Sequence, residues 1–330
     1  MADLSTTYMG LELKNPLVVS SCGLTGSLET IKEIDRAGAG AVVLKSLFEE
    51  EISGEINSLS SSEKGTGYGV EADDYLRYYV KQNAVDNYLT LIREAKKNIS
   101  IPVIASINCS TAKGWTSFAK KIEQAGADAL EINMFILPSD PKEKSTDIEK
   151  IYYQVARDLK KIVNIPIAMK ISPYFTGLTN MITGLSETDL GAIVLFNRFF
   201  SPDIDLKTME IVSAGVYSNP GDIALPLRWI GITAGKVKCD LAASTGVHDG
   251  PDAVKVILAG ARVAYAASTL YINGIQHIPV MLGQINDWMD SNNYQSIDKF
   301  RGALKRRDSA ATRRFERAQF MKYFSSHEQK

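Results

Sequence analysis

The 330-residue chain reads as an α/β protein, a (β/α)8 TIM barrel with a long lid loop after strand two, an excursion after strand six and a basic C-terminal helix. Three observations lead there. Eight short apolar stretches alternate with helical ones. The triplet Ala-Gly-Ala occurs at 37–39, 125–127 and 259–261, each time between a helix and an apolar run. The last two strands each run into a compact small-residue turn, Ser244-Thr245-Gly246 and Ala267-Ser268-Thr269. Glycine in the left-handed conformation is the common helix stop, so the repeated triplet marks three equivalent joints. Small residues let backbone N–H groups approach an anion, and in such barrels the loops after strands seven and eight are the usual phosphate site.

Leu17–Ser21 is the first strand, short and apolar as buried parallel strands are. Ser27 caps a helix through Ala37, with Leu28, Ile31 and Ile34 at helical spacing. Ala41–Leu44 is the second strand and finishes at Lys45-Ser46. Residues 47–73 are rich in glycine, serine and acidic residues, and a loop of that length in a compact domain is a lid or a binding loop. A helix over Asp74–Lys97 leads to strand three, Pro102–Ile107, and one over Trp115–Gln124 leads to strand four, Asp128–Asn133. After a polar loop, Ile136–Asp147, a helix over Ile148–Val163 precedes strand five, Pro166–Ile171. A short helical turn, Leu185–Leu190, precedes strand six, Ala192–Phe196, which ends at Asn197. From Arg198 to Pro220 the chain is irregular and is expected to carry a small β-hairpin. A helix over Ile223–Gly235, with Pro226 near its start, brings in strands seven and eight, Cys239–Ser244 and Arg262–Ala267. The organisation is one barrel over residues 1–304 and a tail over 305–330. That tail is dense in Arg and Lys around Phe315, Phe320 and Phe324. A solvated terminal helix pinned by its aromatics is the reading adopted, over an interaction helix for an acidic partner.

Composition narrows the function classes. With 45% hydrophobic and 23% charged residues and a net charge of −1, the chain is ordinary globular protein with no electrostatic reason to bind nucleic acid. It has no 18-residue apolar run, so no membrane span is expected. The start, MADLSTTYMG, lacks a basic region followed by an apolar one, so no secretory signal is expected either. Cys22, Cys109 and Cys239 are odd in number and widely spread, which argues against a disulfide framework and for a reducing cytoplasm. His248, His277 and His327 do not cluster, and no metal site is expected.

Polar residues at strand C-termini face the active site in a barrel of this kind. Here they are Ser20, Ser21, Lys45, Ser46, Ser106, Asn108, Asn133, Lys170 and Asn197. Two lysines and several amides and hydroxyls converge without a carboxylate pair, which disfavours glycoside hydrolysis. A phosphate-anchored ring facing Lys and Asn donors suits an aromatic cofactor whose reduced form is anionic, such as flavin mononucleotide (FMN), with a lysine stabilising that charge.

From about Thr7 to Leu304 the chain resembles the soluble class 1 dihydroorotate dehydrogenases. The likeness rests on Asn15-Pro16, Lys45-Ser46, Glu131-Ile132-Asn133, the run Met169–Phe175, Asn197, the two small-residue turns and the run Tyr294–Ile297. It implies an FMN enzyme that oxidises dihydroorotate, or a related cyclic CH–CH substrate, by hydride transfer to the flavin, and a homodimer. It implies further that Ser20, Ser21, Lys45, Ser46, Ser106, Asn133, Lys170 and Asn197 surround the ring and ribityl chain. Gly221, Thr245, Gly246, Ala267 and Ser268 would hold the ribityl and phosphate end. Asn133, Asn197 and Arg198 are the candidate substrate contacts.

The substrate side departs from the family pattern. The family's loop after strand four, Asn-Leu-Ser-Cys-Pro-Asn, carries a cysteine base; here the run Asn133–Ser139 is one residue longer and has none. The family's lid amides have no counterpart in Glu63–Gly69, and bulky Arg198-Phe199-Phe200 stands where a small serine follows the asparagine. Ser139 and Cys109 are therefore the candidate bases, with Lys45 as a third catalytic candidate. Two other functions stay open: a flavin-free lyase or aldolase using Lys170 as a Schiff base, and a flavin-binding protein without turnover. No cysteine cluster is present for an iron–sulfur centre, so electrons would leave through the flavin directly or through a separate subunit.

Overall fold

A computed structural model describes residues 2–48, 70–108, 112–199, 201–305 and 315–316. The chain opens with an antiparallel hairpin, β1 (Thr6–Tyr8) and β2 (Leu11–Leu13). Next come β3 (Leu17–Val19), β4 (Ala41–Val43), the short β5 (Leu47–Phe48), β6 (Val103–Asn108), β7 (Ala129–Asn133), β8 (Ile167–Ile171) and β9 (Ala192–Leu195). A second hairpin, β10 (Pro202–Asp205) and β11 (Glu210–Ser213), precedes β12 (Asp240–Ser244) and β13 (Val263–Ala266). Strands β3, β4, β6, β7, β8, β9, β12 and β13 pair in that order, all parallel. β13 returns to β3 with Ala264 opposite Leu17, and the eight-stranded barrel closes.

Side chains alternate across this ring. Leu17, Val19, Val42, Ile132, Met169 and Ile193 pack outward against the helices. Val18, Val43, Ile104, Val194 and Tyr265 point inward, together with five alanines, Ala41, Ala129, Ala168, Ala192 and Ala242. Those alanines leave room that Tyr8, Met9 and Leu13 of the first hairpin fill, so the chain's own start stoppers the lower end of the barrel. The hairpin turns at Met9 and Gly10, both at positive φ. Asp240 holds the turn: its Oδ2 accepts the Met9 N–H at 2.9 Å and its Oδ1 accepts Arg262 Nε–H at 2.9 Å. Asp240→Ala is expected to lower stability by about 2–3 kcal/mol, the worth of charge-assisted hydrogen bonds at a part-buried site. A lower urea midpoint at unchanged m-value would register it.

The glycines of the three Ala-Gly-Ala joints, Gly38, Gly126 and Gly260, have φ of +98°, +95° and +123°. Each ends its helix as the repeated triplet predicts. Ser27 caps the helix Leu28–Arg36 by accepting the Thr30 N–H at 3.3 Å. Other elements differ from expectation. The helix before β6 starts at Val70 rather than Asp74, so less of 47–73 is loop. The helix before β9 runs Leu178–Ser186, not Leu185–Leu190, burying Leu178, Met181, Ile182 and Leu185 at helical spacing. After β11 a 3-10 turn, Pro220–Ile223, leads into the helix Ala224–Thr233, which ends short of Gly235. The first hairpin, the short β5 and the helices His277–Ser291 and Ile297–Phe300 had no sequence counterpart.

Residues 49–69, where a lid or binding loop was expected, and most of the tail fall outside the described residues. Within the tail, the Phe315 ring packs over Gly231, where an added Cβ would meet it at 2.7 Å. Among the described residues no helix is long and apolar enough to cross a membrane.

Candidate active site

The C-terminal ends of the strands carry a connected polar floor. Ser46 Oγ lies 3.0 Å from Ser21 Oγ and 2.8 Å from Ser106 Oγ. Asn133 Nδ2 donates to both Ser46 Oγ (2.6 Å) and Ser106 Oγ (3.1 Å). Four predicted residues from β3, β4, β6 and β7 thus form one network. Tyr88, on the helix Val70–Asn98, fixes it from behind: its hydroxyl accepts the Ser106 N–H at 2.7 Å and donates to the Ser106 carbonyl at 3.0 Å. With its amide nitrogen committed, Asn133 presents Oδ1 as an acceptor that is buried and, among the described residues, has no hydrogen-bond partner. A buried acceptor in that state marks a place where a donor is due.

Lys170, near the C-terminal end of β8 and paired in register with Asn133, enters beside this floor. It is buried, and its Nζ donates to Ser20 Oγ at 3.3 Å. The same ammonium lies 3.9 Å from Glu131 Oε1 and 5.8 Å from the centroid of the Tyr265 ring. Glu131 sits two residues before Asn133, one layer deeper, and is fully buried. Burial pushes its carboxyl above the ordinary carboxylate range, while the Lys170 charge opposes the shift. Below it, the Tyr265 and Tyr8 hydroxyls meet at 3.2 Å, both pushed up by burial.

The two predicted anion turns are neighbours, because β12 and β13 pair with Ser244 opposite Tyr265. Thr245 and Gly246 both have positive φ, +82° and +78°. A β-branched residue there is a strained conformation that its surroundings must hold. They do: Thr245 Oγ1 donates to the Phe196 carbonyl at 3.3 Å, and a Cβ at position 246 would lie 2.1 Å from the Ile223 nitrogen. Gly246 therefore packs directly on the 3-10 turn that carries Gly221. Across the seam, Ser268 Oγ accepts the Ser218 N–H at 2.9 Å, and Ser218 Oγ lies 3.0 Å from His248 Nε2. Ala267 stands at the entry to the short helix Ser268–Asn273.

The remaining predicted residues, Cys109 aside, belong to segments that follow the strands. Lys45 is exposed at the rim, its aliphatic stem lying along Gly26. Asn197 Nδ2 donates to the Lys170 carbonyl at 3.2 Å and reaches the Met134 carbonyl at 3.4 Å, tying the loops after β7 and β9 to β8. Arg198 clamps the excursion: it donates to the carbonyls of Gly215, Val216 and Tyr217 and to Asp222 Oδ2. Ser139 is exposed, its N–H donating to the Leu137 carbonyl at 2.8 Å. Cys109 lies outside the described residues. The two described cysteines are poor bases, since burial pushes the Cys22 thiol up and the Cys239 thiol up to about 12.

Four contributors went unrecognised in the sequence: Tyr88, Ser218, Tyr265 and an aromatic shelf. The Phe135 and Phe199 rings stack at 3.8 Å, with Tyr174 6.4 Å and 5.8 Å from them. They stand two residues beyond Asn133, Ser172 and Asn197, on the loops after three consecutive strands, and Phe135 and Tyr174 are exposed. The usable signal was that spacing, an aromatic two residues past a polar strand end.

A closed parallel barrel whose polar mouth adjoins a seam of backbone donors is the layout of a (β/α)8 enzyme. Comparison narrows it: residues 3–289 match the family model described as Dihydroorotate dehydrogenase, and the chain belongs to that family. It is accordingly an oxidoreductase acting on CH–CH groups. Among curated relatives it is 28% identical over 315 residues to the "Dihydroorotate dehydrogenase B (NAD(+)), catalytic subunit" of Thermoplasma acidophilum, covering 93% of this chain and 100% of that one. The protein of the same name from Thermoplasma volcanium is 27% identical, at 93% and 100% coverage. That from Pyrococcus furiosus is 23% identical, at 90% and 97%.

Proposed function

We propose that this chain binds FMN across the mouth of the barrel and oxidises dihydroorotate, or a closely related cyclic CH–CH compound, in pyrimidine biosynthesis. The observation that carries the reading is the convergence of Lys170 and the unpartnered Asn133 Oδ1. The residues suit the group: a cation for an anionic ring edge, a buried acceptor for a ring N–H, and turns of small residues for a phosphate. When bound, the flavin accepts the hydride that leaves the substrate. Lys170 holds the negative charge that develops, with Lys45 as a second cation at the rim. Ser20, Ser21, Ser46 and Ser106 hold the rotamers of Lys170 and Asn133. The backbone of Thr245, Gly246, Ala267 and Ser268, with Gly221 beneath, grips the phosphate. Asn133 and Asn197 orient the substrate; a direct role for Arg198 would require its loop bonds to open. Ser139 takes the substrate proton, with Cys109 as the alternative.

The relatives are named as catalytic subunits of NAD+ enzymes, so we place the electron exit in a separate subunit and this chain, by family likeness, in a cytoplasmic homodimer. The experiment is an anaerobic visible spectrum before and after dihydroorotate. A flavin band that bleaches is the expected result, and Ser139→Ala and Cys109→Ser then identify the base. Colourless protein that FMN cannot reconstitute would overturn the reading in favour of the flavin-free Schiff-base chemistry. A flavin band that persists would favour another substrate or no turnover. The exposed aromatic shelf favours a substrate with a flat face that can stack on Phe135, Tyr174 and Phe199.

A further inference from the structure

Glu131 is a fully buried acid that the reaction above does not use. Neither of its oxygens has a hydrogen-bond partner among the described residues. Its nearest counter-charge, Lys170 Nζ at 3.9 Å, is well outside the about 2.7–2.9 Å of a charge-assisted hydrogen bond. The other titratable groups facing it are the hydroxyls of Tyr265 on β13, Tyr8 on β1 and Tyr88 on the helix Val70–Asn98. None of these carries a positive charge. The ionised form is therefore supported by one distant ammonium and by the neutral Tyr265 hydroxyl, and that ammonium also donates to Ser20 on the side of the ring site.

We propose that Glu131 is a positioning residue that takes up one proton whenever the flavin is reduced. This rests on the FMN reading above. Two electrons and one hydrogen nucleus arrive on the ring as a hydride, leaving it with one net negative charge against Lys170. That charge competes with the Glu131 carboxylate for the same ammonium. The carboxylate then accepts a proton from solvent, entering at the Lys170–Ser20 end, and becomes a neutral acid. When the two electrons leave, the proton leaves Glu131 by the same route. Reduction thus consumes two electrons and two protons overall, where the ring alone would consume two electrons and one proton. The upward push of burial on the carboxyl and the downward pull of Lys170 leave it poised for such a change.

The test is the reduction potential of the FMN-loaded protein across the neutral pH range. The wild type is expected to show a window in which the reduction equilibrium falls a hundredfold per pH unit, about 59 mV for this two-electron couple. Glu131→Gln should hold to tenfold, about 30 mV, throughout. Equal slopes in the two proteins would overturn the proposal while leaving FMN binding intact. Should Glu131→Gln fail to fold, the wild type alone decides by infrared difference spectroscopy on reduction. A protonated-carboxyl band that appears and moves with isotopically labelled glutamate supports the proposal, and its absence refutes it. Protein that binds no FMN overturns the cofactor reading itself.

Discussion

Lys170→Met is expected to slow substrate reduction of the bound flavin by roughly 10²–10³-fold, the scale on which one preorganised charge-stabilising donor acts. Anaerobic stopped-flow would measure it, and binding of oxidised FMN should change far less, because the turns proposed to hold the phosphate lie on other strands. The variant also removes the only ammonium near Glu131 among the described residues. Its stability loss at pH 7 is bounded at about 3.7 kcal/mol, since Glu131 can instead hold a proton at about 1.36 kcal/mol per pH unit above an ordinary value near 4.3. The pH dependence has a definite sign. Glu131 has a raised value in the folded state, so between the ordinary and raised values the folded chain binds more protons than the unfolded one. Stability therefore falls as pH rises through that window, and the window reaches to higher pH in Lys170→Met. Urea midpoints at about pH 5 and about pH 8 would show it. Glu131→Gln/Lys170→Met should recover the stability but not the rate.

Gly246→Ala is expected to raise the FMN dissociation constant at least about a hundredfold, or roughly 2.7 kcal/mol. The residue has φ of +78°, and its new Cβ would lie 2.1 Å from the Ile223 nitrogen and 2.7 Å from the Asp222 carbonyl carbon. Neither is the end of a flexible side chain, so the 3-10 turn must move away and the anion seam opens with it. Quenching of FMN fluorescence gives the affinity, and circular dichroism separates local loss from global unfolding. Gly283 is the matched control. It lies in the helix His277–Ser291 with nothing within 4 Å of an added Cβ, and Gly283→Ala should leave affinity alone and raise stability slightly. If both variants bind FMN like the wild type, the seam does not hold the phosphate.

The barrel was legible because its signals are local. A strand of Ile167–Ile171 or an Ala-Gly-Ala stop states its conformation within a few residues. The helix Leu178–Ser186 was harder, since it is only nine residues long and Gly184 and four polar residues make up more than half of it. The helix His277–Ser291 hides likewise behind Pro279 and Gly283, although Ile278, Met281, Ile285 and Met289 are buried at helical spacing. In the site, strand-end residues such as Ser46, Asn133 and Lys170 could be named from position alone. Tyr88 and Tyr265 could not, because each acts only through a partner 18 or 257 positions away, Ser106 and Tyr8. Such pairings follow from ring register, which no short stretch of chain contains.

That register also governs how the protein is made. The ring closes where Leu17 meets Ala264, and the Ser20 N–H donates to the Ala266 carbonyl at 2.9 Å across the same junction. A nascent chain still lacking Val263–Ala266 is an open sheet with two unpaired edges, and joining them is the longest loop closure in the barrel. Ser20 lies on one side of that junction and Ala267 and Ser268 on the other. A cofactor that touches both sides has no seat on the ribosome until the last strand has emerged. If FMN binds as proposed, loading would follow synthesis, and ligand and ring closure would stabilise each other.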